Sequence, residues 1–151
     1  MQTRQCWTVL ANKAEDQCSR IQQELSSLQQ RLEGLQANER RLRQLYAEYH
    51  ERLTRPGTAS NGMQDAINQR QFMHQITGLI DKVLYDQSIT DQALSQARQK
   101  LAEAQREKLK MQSLVEQDQQ RLRQAEKQQD QKLMDELGLR QFQARQTHRH
   151  A

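Results

Sequence analysis

The side chains best suited to chemistry in this chain are its histidines, cysteines and carboxylates, and their spacing argues against a reactive centre. The four histidines are His50, His74, His148 and His150. His148 and His150 are two apart, so they share no helix face, and both fall in an expected flexible tail over 144–151. His50 stands close to the one cluster of helix breakers and reads as a solvated surface residue. Cys6 and Cys18, on one helix, would lie roughly 18 Å apart. That is beyond disulfide reach, so they read as free thiols of a reducing compartment. There is no Gly-rich phosphate loop, no Gly-x-Ser-x-Gly elbow and no Cys-x-x-Cys pair. The carboxylates are scattered singly, and a two-helix rod has no concave pocket to desolvate them. The expectation is a non-enzymatic protein with no metal and no cofactor.

The spacing that does carry information is apolar. One seam advances by alternating steps of three and four through Trp7, Ala11, Ala14, Cys18, Ile21, Leu25, Leu28, Leu32 and Leu35. It continues through Glu39, Leu42, Tyr46, Tyr49 and Leu53, with Glu39 the only break. About seven heptads in register predict a coiled-coil helix. A second seam reads Met73, Ile76, Ile80, Val83, Gln87, Thr90, Leu94, Ala97, Leu101, Ala104, Lys108, Met111, Val115, Asp118, Leu122 and Ala125. Between them lies Thr54-Arg55-Pro56-Gly57-Thr58-Ala59-Ser60-Asn61-Gly62. Pro56 disfavours helix at Arg55, while Ser60 or Asn61 can cap the next helix, with Gln64 three after Asn61 as in a capping box.

Composition agrees with a seam rather than a thick core. The chain of 151 residues is 34% hydrophobic, 28% charged and 4% aromatic, and it holds 29 Gln. A compact body is normally nearly half apolar. The expected fold class is all-α: two long helices in an antiparallel coiled-coil hairpin, on the order of 100 Å long. Helix one is expected over about 5–54, the loop over 55–62 and helix two over about 63–143. Charge is mildly basic at +4, with both signs interspersed rather than blocked, which weighs against a nucleic-acid binder. No signal peptide and no apolar run of membrane-spanning length is present. A cytoplasmic location follows as the expectation.

Near the loop there is more apolar surface than a seam requires. Phe72, Ile76, Leu79 and Val83 form a stripe rotated from the second seam, and Asn38, Leu42, Leu45 and Tyr49 do the same on helix one. Phe72, Leu79 and Leu45 have no evident partner in a two-helix rod, as expected of a docking surface. Towards the other end, Lys127, Gln131, Lys132, Asp135, Glu136 and Arg140 make a mixed-charge segment that reads as a tip able to enter a partner.

Leu42, Tyr46-Ala-Glu-Tyr49, Leu53, Ala59-Ser-Asn61, Gln71-Phe72, Ile76 with Ile80, and Asp130-Gln-Lys-Leu-Met-Asp-Glu136 stand at spacings that resemble the FliJ family. Those proteins are small coiled-coil components of the bacterial flagellar type III export apparatus. The family is similar in fold to the γ stalk of rotary ATP synthases. The resemblance implies a tip inserted into the hexameric export ATPase FliI, a hairpin half touching the cytoplasmic domain of the export gate FlhA, and binding of export chaperones. It also implies peripheral association with the cytoplasmic face of the inner membrane. The implied gate-docking face falls on Phe72, Ile76, Leu79 and Val83, and its companion positions on Asn38, Leu42, Leu45 and Tyr49. Family members can carry a small residue and a histidine where this chain has Leu79 and Val83, so its face is greasier. The stalk of an injectisome type III system and a generic coiled-coil tether are the competing readings.

Overall fold

The computed structural model describes residues 2–55 and 62–149, with side chains from residue 5 onwards. Two helices make up nearly all of it: α1, Gln2–Thr54, and α2, Gly62–Arg149. The fold class is all-α, with the two helices packed antiparallel. Contacts divide the chain into two compact units, one of residues 1–17 with 104–151 and one of residues 18–103.

In the second unit, Tyr49 of α1 meets Phe72 of α2, and Glu39 meets Gln87. Partner numbers rise on α2 as they fall on α1, which fixes the antiparallel sense. The seam here is the core. Cys18, Ile21, Met73, Ile76, Ile80, Val83, Leu94 and Ala97 are buried, and Ile76 is 1% exposed. The polar seam positions are paired. Thr90, also buried, donates its hydroxyl to the Asp86 carbonyl at 2.8 Å. Gln87 Nε2 donates to Glu39 Oε2 at 2.9 Å, and Arg43 Nε donates to Glu39 Oε1 at 3.0 Å. These bonds hold the Glu39 carboxyl below its ordinary range, the Gln87 bond contributing most.

In the first unit, Ala14 is the buried position, and Thr8, Ala11, Asn12 and Glu15 of α1 lie beside Gln112, Val115, Gln119 and Arg123 of α2. Val115, Asp118 and Leu122 are half-buried, whereas Ala125 is exposed. The seam therefore loses its cover at Ala125. One oxygen of Asp118 is buried without a hydrogen-bond partner among the described residues.

Both helix ends depart from the expected bounds. α1 starts at Gln2 rather than near residue 5, and α2 continues to Arg149 rather than ending near residue 143. The part of the expected tail that is described, 144–149, is helical. Its Gln, Ala and Arg residues are good helix formers with no breaker among them. α1 closes where Pro56 requires. Thr54 turns its hydroxyl back to the carbonyls of His50 and Glu51, at 3.0 and 3.1 Å, and Arg55 is already outside the helix. α2 opens at Gly62 with φ of 82°, a left-handed conformation that glycine enters without a Cβ clash. The expected cap at Ser60 or Asn61 lies outside the described residues. Cys6 is exposed, Cys18 is buried in the seam, and both are free thiols.

Candidate functional site

The stripe expected to dock a partner is split by the packing. Ile76 and Val83 are buried in the seam, while Phe72 is 38% and Leu79 51% exposed. The helical geometry explains this, because Phe72 and Leu79 are rotated from Ile76 by about 40–60° towards one flank. On α1, Asn38 is exposed and Leu42, Leu45 and Tyr49 are half-buried.

Phe72 is not without a partner, contrary to the sequence expectation. Its ring centroid lies 4.9 Å from that of Tyr49 with the planes tilted by 52°, a favourable offset geometry. The Arg52 guanidinium sits 5.3 Å from the Tyr49 centroid. Tyr49 thus supports Phe72 and holds it with one edge open. The chemistry available on this flank is apolar and aromatic contact, anchored by Phe72 and Leu79.

The packing also exposes apolar residues that lie off both stripes. Ile67, Leu84, Tyr85 and Ile89 are 46%, 38%, 66% and 47% exposed. A tally of apolar residues outside the seam would have found them.

In the first unit, every described side chain from Arg123 to Arg149 is exposed. Lys127, Gln131, Lys132, Asp135, Glu136 and Arg140 are therefore all open to solvent. They are interleaved with Leu133, Met134, Leu137, Leu139 and Phe142, which are 54–73% exposed. This segment is more apolar than its charged residues alone suggest. No group of three or more His, Cys, Asp or Glu among the described residues is placed to hold a metal ion. No helix among them is long and apolar enough to cross a membrane.

Fold and surface together define an all-α protein of two long antiparallel helices, with its core confined to a seam and apolar side chains left exposed beside it. The family model described as Flagellar FliJ protein matches residues 8–147, and the chain belongs to that family. No curated protein and no solved structure matches it. Membership identifies a component of the flagellar export machinery.

Proposed function

We propose that this chain is the non-enzymatic stalk of the flagellar type III export apparatus, acting in the cytoplasm at the inner-membrane face. Its α2 tip engages the hexameric export ATPase FliI. Its Phe72 and Leu79 flank, with Asn38, Leu42, Leu45 and Tyr49 beside it, docks the export gate FlhA and export chaperones. Ile76 and Val83 act through the seam, holding that flank in place. The observation that carries the reading is the exposure of Phe72 and Leu79 next to fully covered Ile76. Apolar side chains left outside a satisfied core favour a partner surface.

At the tip, an exposed mixed-charge helix suits a ring contact made of many weak polar pairs, each worth about 0–1 kcal/mol. Such a set retains the stalk without locking it, and Leu133, Met134 and Leu137 add apolar contact.

Swarming of a deletion strain carrying the Phe72→Ala, Leu79→Ala gene tests the docking flank. The expected result is loss of motility with normal protein level, and full motility would refute the assignment. Changing Lys127, Lys132 and Arg140 together to Glu is expected to abolish stimulation of the export ATPase by purified protein. Unchanged stimulation would refute the tip.

A further inference from the structure

The flank of the second unit opposite Phe72 carries a groove of a different kind. Its volume is about 440 Å³, and its floor is formed by Met73 and Leu53, buried and half-buried respectively. One wall is the Tyr46 ring stacked on His50, with centroids 6.2 Å apart and planes within 6°. The other wall is Arg70 and His74. No carboxylate lines it, although the chain has 19 Asp and Glu interspersed with its bases. Glu51, the acid nearest in sequence to His50, is paired with Arg55 at 3.2 Å.

The hydroxyls at the groove are committed to their own helices. Thr54 donates to the His50 and Glu51 carbonyls, and Thr77 donates to the His74 carbonyl at 2.7 Å. The donors left for a ligand are therefore the Arg70 guanidinium, the two imidazoles and the Tyr46 hydroxyl. Neither Arg70 nor His74 makes a side-chain hydrogen bond or ion pair among the described residues. The adjoining shallow surface at Ile67, Gln71 and Gln75 shares Arg70 and His74 and again brings no carboxylate.

We propose that this groove is a second docking surface, for an acidic peptide segment of a protein partner that places one apolar side chain on the Met73–Leu53 floor and a carboxylate on Arg70 and His74. Charge complementarity selects the occupant. A guanidinium receives a carboxylate through two parallel N–H donations, and a buried apolar anchor inside a polar rim is the usual arrangement of a peptide site. A nucleic acid requires a row of cations tracking many phosphates, and this groove has one guanidinium. On α2, Arg70 and His74 lie on the opposite side of the seam from Phe72 and Leu79. The proposal therefore goes beyond the gate and chaperone reading and does not depend on it.

The test is fluorescence anisotropy of the full chain, at physiological salt, with a labelled peptide whose central leucine is flanked by glutamates. The result expected is saturable binding that weakens about tenfold or more in Arg70→Glu, His74→Glu. It should also weaken in Arg70→Ala and be unchanged in Phe72→Ala, with helical circular dichroism preserved throughout. No binding would overturn the proposal, as would equal binding of a control with lysines for the glutamates. Equal binding of a thymidine oligonucleotide, or affinity indifferent to Arg70 and His74, would overturn it too.

Discussion

At the residue scale, the contrast between Ile76 and Leu79 carries the most consequence. They stand three apart, yet one is 1% and the other 51% exposed. Ile76→Ala should destabilise the protein by about 2–4 kcal/mol, through lost burial and the cavity left behind. Leu79→Ala should stay within about 0.5 kcal/mol. Thermal melts of both variants check this. Glu39 is the other decisive residue. Its pairing with Gln87 is a polar layer that discourages register slips, because a one-heptad shift would set the carboxylate against buried Ile80 or Leu94. Its folded pKa lies below the ordinary value of 4.5, so the unfolded chain binds the proton more readily. The stability it contributes is present above that value and is lost as pH falls through the folded pKa. Melts of wild type and Glu39→Gln should therefore differ above about pH 4.5 and converge only once pH has fallen below the folded pKa of Glu39. A constant difference down to pH 2 would contradict the layer. Asp118, with a buried oxygen lacking a partner, should tolerate Asp118→Leu with a gain of about 1 kcal/mol.

At the element scale, the two seams show how much the sequence alone reveals. Every residue of the α1 seam from Trp7 to Leu53 is buried or half-buried, and so is every α2 seam residue from Met73 to Leu122. A 3.5-residue apolar repeat admits one buried ridge per helix, so the core was legible without coordinates. What was not legible depends on the register between the helices. Tyr49 over Phe72, Gln87 on Glu39, and the groove between Tyr46 and Arg70 pair residues across the seam, and no spacing within one helix specifies them. α2 persists to Arg149 although its apolar period fades, because Gln, Ala and Arg sustain helix without a packed face. An unpacked helix is marginal in water. Amides of 124–149 should therefore exchange with solvent far faster than those of 73–97, which hydrogen-exchange mass spectrometry can resolve. Gly78 is a further lever on α2. A Cβ there meets nothing within 4 Å, so Gly78→Ala should stabilise the helix by up to about 1 kcal/mol.

At the scale of the whole molecule, function follows from what the core leaves over. A chain that is 34% hydrophobic fills a seam, and its remaining apolar side chains must face solvent or a partner. The proposed division of labour places gate and chaperone contacts on the Phe72 flank and the ATPase contact on the α2 tip. Family membership makes the chain a component of the flagellar export machinery; the partners named belong to the proposal, and the residues assigned to meet them rest on exposure. The most direct measurement is a calorimetric titration of the purified chain into the cytoplasmic domain of the export gate, for wild type and Phe72→Ala, Leu79→Ala. The account predicts an affinity at least about tenfold weaker in the double variant, with helical content preserved at the assay temperature and undiminished ATPase stimulation. Equal affinity in the two proteins would contradict it.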